Sequence, residues 1–187
     1  MTLSAAPPVT LRGPRVTLRP WCEGDRDAFA AMNADPEVMR HFIAPLTRAE
    51  SDASADRNAL HIEQHTWGRW AVQTPQLEFA GFVGLGSMPL KVAHPAVLPD
   101  SREIGWRLAR AAWGQGYASE AAALVLEHAL NTLRWPQVLS LTAVSNIASQ
   151  AVMRRIGLQR GHEFDHPRIA VEHPLCRHVL FATPLPG

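Results

Sequence analysis

The chain is predicted to fold as a mixed α/β domain, and three observations predict it. Its composition is that of a packed globular protein, with 47% hydrophobic and 19% charged residues. Short runs that alternate apolar and polar residues, the mark of strands, are interleaved with longer stretches of helical periodicity. At the centre a strand, a glycine loop, an alanine-rich helix and a second strand follow in succession. A length of 187 residues fits one domain, assigned to 9–183, with 1–8 and 184–187 expected to be flexible termini.

The elements follow in order. Val16-Thr-Leu-Arg19, preceded by the similar Val9-Thr-Leu-Arg12, places the first strand. Asp25 or a neighbour caps a helix running to about Asn33, and Asp35-Pro36 opens a short turn through Met39. Thr47 with Glu50 resembles a capping box and starts an amphipathic helix reaching about His65. Trp67–Gln73 and Phe79–Leu85 read as a hairpin around Thr74-Pro75-Gln76. The proline-bearing stretch from Pro89 to Asp100 is expected to be an irregular loop bordering substrate. Arg102 to Leu108 alternates, with Ile104, Trp106 and Leu108 on one face and Glu103, Gly105 and Arg107 on the other. Ala118 to Leu133 reads as a helix, Leu139 to Val144 as a strand, Ala148 to Ile156 as a short helix, and Arg177 to Ala182 as the final strand.

Charge and cysteine content exclude several classes. The net charge is +1 at pH 7 without a basic block, which argues against nucleic-acid binding. Cys22 and Cys176 are the only cysteines and form no paired motif, so a reducing, cytoplasmic setting is expected and no disulfide framework. No signal-peptide pattern and no run near the roughly 20 apolar residues of a membrane span occurs, so no membrane partner is expected.

The most informative stretch runs from Glu103 to Ala121. Gly114 and Gly116 lie between a strand and a long helix, where backbone N–H groups can converge on a diphosphate at the helix N-terminus. Taken alone, two such glycines are equally an ordinary tight turn. The stretch lacks the Lys-Ser/Thr ending of a P-loop and the third glycine of a dinucleotide fingerprint.

Trp113-Gly-Gln-Gly-Tyr-Ala118, followed by Ser119-Glu-Ala121, resembles the acetyl-CoA pyrophosphate motif of the Gcn5-related N-acetyltransferase (GNAT) family, in the form of its ribosomal-protein N-acetyltransferase (RimJ/RimL-like) branch. Trp113 stands where the family usually has Gln or Arg, a departure common in this branch. Asn146-Ile-Ala-Ser149, continuing to Leu158, resembles the family's following strand and helix signature. The resemblance is strong from Arg102 to Arg160 and looser before it.

The resemblance implies an acyl-CoA N-acyltransferase fold, a mixed and mostly antiparallel sheet of about seven strands with flanking helices and splayed central parallel strands. It implies acetyl transfer from acetyl-CoA, as cosubstrate and without a metal, to a primary amine of a peptide or small molecule, by direct attack in a ternary complex. Gln115, Gly116, Tyr117 and Ala118 would bind the diphosphate, Trp106 and Leu108 the pantetheine arm, and Asn146 and Ser149 the same arm further on. Glu103 takes the branch's general-base position, and read alone it is also an ordinary salt-bridged or solvated strand residue. A backbone N–H near Trp106 or Arg107 would meet the oxyanion. Many relatives protonate the thiolate with a late tyrosine, a version excluded here because Tyr117, the only tyrosine, belongs to the phosphate loop; in the resembling branch Ser149 takes that role. Asn146 and Ser149 are also good helix-capping residues. Homodimers are frequent in the family, and nothing in the sequence locates an interface.

Arg110 would add charge near the diphosphate or lie solvated on the surface. His162, His166, His173, Cys176 and His178 gather late in the chain, in spacings that match no metal motif. Phe164 to His173 is expected to form a loop between the last strands, either an ordinary polar loop or one in which Asp165 and His166 contact the acceptor amine. Trp21, Trp67, Trp70 and Trp106 read as core or cleft wall. The alternative function is a CoA-binding regulatory or interaction module without catalysis.

Overall fold

A computed structural model describes residues 9–87, 97–98 and 101–184. The expected termini, apart from Pro184, and most of the loop from Pro89 to Asp100 therefore lie outside the described residues. Among the described residues eight strands form a single sheet: β1 (Leu11–Arg12), β2 (Thr17–Arg19), β3 (Arg69–Gln73), β4 (Gly81–Ser87), β5 (Arg102–Leu108), β6 (Val138–Ala143), β7 (Gln159–Asp165) and β8 (Arg177–Ala182). Their order is β1-β2-β3-β4-β5-β6-β8-β7, and every neighbouring pair is antiparallel except β5 and β6.

Two of these strands, β1 and β7, are not among those placed from the residues, and each has a local cause. The expected first strand is a hairpin, because Pro14 cannot donate to a ladder and the Gly13 N–H closes a turn on the Val16 carbonyl at 2.9 Å. At the other end, Phe164 and Asp165 belong to β7 rather than to a loop. Gln-Arg-Gly-His-Glu-Phe-Asp carries no apolar alternation because β7 is an edge strand, held by backbone pairing to β8 and by Glu163 and Asp165 bridging to Arg177.

Among the described residues five α-helices flank the sheet: α1 (Asp25–Ala34), α2 (Pro36–Met39), α3 (Arg48–His65), α4 (Tyr117–Glu127) and α5 (Ile147–Arg155). The capping box at α3 is complete, with Thr47 Oγ1 accepting the Glu50 N–H at 3.2 Å and Glu50 Oε2 accepting the Thr47 N–H at 2.8 Å. Asp35 caps α2 by accepting the Glu37 N–H at 2.8 Å, with Pro36 in the first turn. The helix expected over Ala118–Leu133 is α-helical only to Glu127 and continues as a π-helical turn, His128–Thr132, in which the Leu133 N–H reaches the His128 carbonyl.

Strand alternation divides the sheet into two faces. Trp70, Val72, Val83, Leu85, Ile104 and Leu108 point to one side, where they pack with Ala121, Ala122 and Val125 of α4 and Ile62 of α3. On the opposite side Ala71 and Phe82 pack with Phe29 and Met32 of α1 and Val38 of α2. Register places Glu103 beside Gly86, Gly105 beside Gly84 and Arg107 beside Phe82, so all six share the α1 side. The polar face of β5 therefore looks toward α1 and α2.

Asp25 does not cap α1; Gly24 occupies that position without a side-chain bond. Its buried carboxylate instead accepts two bonds from Arg19, at 2.8 and 2.7 Å, and one from the Cys22 N–H at 2.9 Å, which pins α1 to β2. Replacing Asp25 by Ala leaves the Arg19 guanidinium, with 19% side-chain exposure, without its partner. Asp25→Ala is expected to lower stability by about 3–5 kcal/mol, read from the midpoint of urea unfolding.

Candidate active site

A cleft of about 1110 Å³ opens where β5 and β6 part. The two strands pair only at Arg102↔Val138 and Glu103↔Leu139; beyond that point β6 continues with β8 alone. Parallel strands that separate leave backbone groups facing a gap, and each must find a partner. The Ser140 hydroxyl donates to the Ile104 carbonyl at 2.9 Å and the Trp113 indole to the Leu108 carbonyl at 2.8 Å. By alternation the backbone of Trp106, between them, faces the gap, while that of Arg107 faces β4.

One end of the cleft is the N-terminus of α4. Gly114 and Gly116 have φ of 73° and 81°, a left-handed conformation that disfavours any residue with a Cβ. Gly116 is the N-cap of α4 and supplies no side-chain bond, so the first N–H groups of the helix stay open to a ligand. Tyr117 turns away: its ring is buried and its hydroxyl donates to Gln76 Oε1 at 2.8 Å. Gln115 also turns away, its amide donating to the Ala111 carbonyl at 2.9 Å, and it is not among the residues lining the cleft. Gly116, Tyr117 and Ala118 do line it.

The cation at this end is not the one considered from sequence. Arg110 does not line the cleft and is 60% exposed, 3.9 Å from Asp35. Arg15, from the turn between β1 and β2, lines it instead and donates to the Gln115 carbonyl at 2.9 Å and to Glu120 Oε2 at 2.8 Å. Glu120 also accepts the N–H groups of Arg15 and Val16, at 2.7 and 3.2 Å. The N-terminal hairpin is thereby fastened to the glycine loop, a contact across more than a hundred positions that no local pattern signals.

On the far wall, at the start of α5, Asn146 Oδ1 accepts the Ser149 N–H at 3.2 Å, the expected capping bond. Its amide nitrogen donates to Thr142 Oγ1 at 2.9 Å and to Ser149 Oγ at 3.1 Å. Asn146 has thus committed both N–H bonds to the protein and keeps only acceptor capacity on Oδ1. Ser149 Oγ accepts from Asn146 and retains its own proton for donation into the cleft, which both residues line.

Glu103 stands at the fork itself, half-buried, on the face shared with Arg69, Phe82 and Arg107. Loss of water pushes its carboxyl up to about 7, against an opposing pull from Arg69. Gly105 beside it leaves open space, with no atom within 4 Å of where a Cβ would sit. Phe42 and Ile43, just after α2, form an apolar lip, 43% and 61% exposed. Neither they nor Arg69 were singled out in the sequence.

Of the late polar cluster, His166 and His178 line the cleft with ring centroids 4.8 Å apart, and burial lowers both imidazoles. Asp165 does not line it, being 56% exposed and paired with Arg177 at the sheet edge. Among the described residues no three His, Cys, Asp or Glu side chains converge as metal ligands, and no helix is long and apolar enough to cross a membrane. Trp70 lies in the core, Trp21 stacks edge-on against Phe29, Trp67 edge-on against Trp135, and Trp106 forms cleft wall.

Comparison with known proteins agrees with this geometry. The chain is similar to the FsC-acetyl coenzyme A-N(2)-transacetylase of Aspergillus fumigatus, at 32% identity over 96% of this chain and 78% of that protein. Among solved structures it resembles an acetyltransferase of Agrobacterium tumefaciens, at 25% identity and a TM-score of 0.73 over 94% of each chain. It also resembles Mycobacterium smegmatis RimJ in complex with a CoA disulfide, at 20% identity and a TM-score of 0.72 over 94% of this chain and 87% of that one, a likeness of fold. Residues 15–159 match the family model of the acetyltransferase (GNAT) domain, which spans the hairpin turn, the fork, the glycine loop and α5, and the chain therefore belongs to the GNAT acetyltransferase family.

Proposed function

We propose that this GNAT acetyltransferase moves the acetyl group of acetyl-CoA to a primary amine by direct attack within a ternary complex, with Glu103 as general base. The observation that carries the reading is the position of Glu103, a desolvated carboxylate at the fork of β5 and β6 in a cleft whose other end is an open helix N-terminus. The amine is a peptide N-terminus or a small-molecule amine, and the reaction belongs in the cytoplasm, in keeping with two free cysteines.

Each step has a candidate group. Arg15 and the first N–H groups of α4, with Gly116 and Ala118, hold the diphosphate. The strand-like gap beside Trp106 and Leu108 accepts the amide-bearing pantetheine arm as an added strand. An ammonium has no lone pair, so the acceptor gives a proton to Glu103, directly or through water, before its nitrogen attacks the thioester carbon. The Trp106 N–H, facing the gap, stabilises the oxyanion. When the C–S bond breaks, Ser149 protonates the leaving thiolate and is reprotonated through water by the second proton that the nitrogen sheds, or the thiolate departs unprotonated, a thiol being a modest acid, and that proton goes to water.

Three outcomes test this. With any accepted amine, Glu103→Gln should lower kcat/KM for thiol release at least about tenfold while calorimetric binding of acetyl-CoA stays unchanged. Wild-type kcat/KM should fall as pH drops below about 7, where Glu103 becomes protonated, and the variant should lose that inflection while keeping the slope due to the amine itself. The raised carboxyl also predicts a stability effect of definite sign. A group whose folded pKa exceeds its unfolded value stabilises at low pH and loses that contribution as pH rises through about 7, so Glu103→Gln should melt higher than wild type at pH 8 and alike at pH 4.

Gly116→Ala places a Cβ at φ of 81° and 3.3 Å from Arg15. Its KM for acetyl-CoA should rise about tenfold or more, with a smaller change in KM for the acceptor; equal KM for acetyl-CoA would remove the glycine loop from the binding site. Ser149→Ala should lower kcat by no more than about tenfold, since the leaving thiolate is only moderately basic; a larger loss would make proton donation obligatory.

A further inference from the structure

We infer that the acceptor is an amine whose own molecule carries a carboxylate, and that Arg69 and Arg107 bind that carboxylate beside Glu103. The inference rests on the reading of Glu103 as the base of acetyl transfer, because it places the acceptor on the face of β5 where Glu103 lies.

The two guanidinium groups flank one ring. Arg69 on β3 and Arg107 on β5 hold their guanidinium carbons 5.7 and 5.6 Å from the centroid of Phe82 on the intervening strand. Arg107 is also covered by Phe42, at 4.1 Å, so it is sandwiched between two aromatic faces. One of its N–H groups donates to Asn33 Oδ1, and Asn33 is itself buried and fixed by donation to Ser51 Oγ at 3.0 Å. Arg107 Nε is buried and has no hydrogen-bond partner, and burial, with Arg69 nearby, lowers the guanidinium to about 10. Arg69 makes no hydrogen bond or ion pair through its guanidinium among the described residues. The space between them opens at Gly105, where no atom lies within 4 Å of a Cβ position, while the Arg69 guanidinium reaches over Gly86, 3.6 Å from its Cβ position.

Charge in the cleft points the same way. Of the carboxylates lining it, Glu37 is 3.5 Å from Arg40 and Glu120 is 2.8 Å from Arg15, so both already have cations. Glu103 remains, and it does not lie within ion-pair distance of Arg69 or Arg107. Two cations held in a half-buried wall without a carboxylate partner are costly unless a ligand completes them. A carboxylate supplies acceptors for planar donors, and its own amine then lies toward Glu103. Polycations such as polyamines meet repulsion at the same place.

The test compares acceptors that differ in this charge, with each rate referred to the acceptor's free-amine fraction: L-serine and β-alanine each against its carboxamide, and a tripeptide amide beginning with aspartate against one beginning with asparagine. For wild type, kcat/KM should favour the acid of at least one pair about tenfold or more, and spermidine should be poor. The amino-acid pairs responding identifies a free amino acid as the source; the peptide pair responding identifies an acidic N-terminus. Arg69→Gln should bring the ratio to within about threefold, with acetyl-CoA binding and melting temperature as checks on folding, and Arg107→Gln should do the same if it folds. Equal rates for acids and amides, or a ratio that survives Arg69→Gln, overturns the inference. If no acceptor is turned over, acetyl transfer to amines falls as a separate matter, and titration of each acid and amide into CoA-loaded protein still decides: acids binding no tighter than their amides overturn it.

Discussion

The separation of β5 from β6 after Glu103 is the constraint on which the rest of the molecule depends. Opening a sheet in its interior exposes backbone donors and acceptors in a place that water reaches poorly. Here the cost is contained by two side chains, Ser140 on the Ile104 carbonyl and Trp113 on the Leu108 carbonyl, which leave Trp106 facing the gap. Because β5 and β6 run parallel, the helices that follow them, α4 and α5, both begin at the same end of the sheet. The open N–H groups of α4 and the Asn146–Ser149 turn thus converge on one opening, as the topology of a fork between parallel strands requires.

Alternation then separates stability from chemistry on the same strand. The residues of β5 that point toward α4 are apolar and close the core, while those that point toward α1 are Glu103, Gly105 and Arg107. Neither set can slip without the other, since a shift by one residue would bury a carboxylate against α4 and turn Ile104 into the cleft. The lock on this register is distant. Seven consecutive pairs between β4 and β5 hold it from one side, and Glu120 holds α4 to the hairpin turn from the other.

Much of this was legible in the residues. The capping box at Thr47, the two faces of Arg102–Leu108, the hairpin after Trp67 and the glycine pair are local signals, each with its own physical cause. The cleft residues that escaped notice are those brought in from afar: Arg15 through Glu120, Arg69 through the β3–β4 register, Phe42 from the segment after α2. An edge strand such as β7 escapes for a different reason, because its side chains bury little and its stability lies in backbone bonds and surface ion pairs that leave no apolar period. The π turn after Glu127 has no Gly or Pro to announce it.

Glu103 shows why such a site does not relax into a more comfortable one. Moving Arg69 close enough to form an ion pair would restore an ordinary carboxylate, stabilise the fold at neutral pH and leave a base too weak to accept a proton from an ammonium. Burying the carboxylate without any cation would carry its pKa further up and keep it protonated at neutral pH, equally unfit as a base. With Arg69 near but unbonded, and Gly105 leaving room instead of a contact, the carboxyl is held at about 7, where its two protonation states are balanced. The instability this imposes on the folded state is the same free energy that would make the group a competent proton acceptor in the proposed reaction.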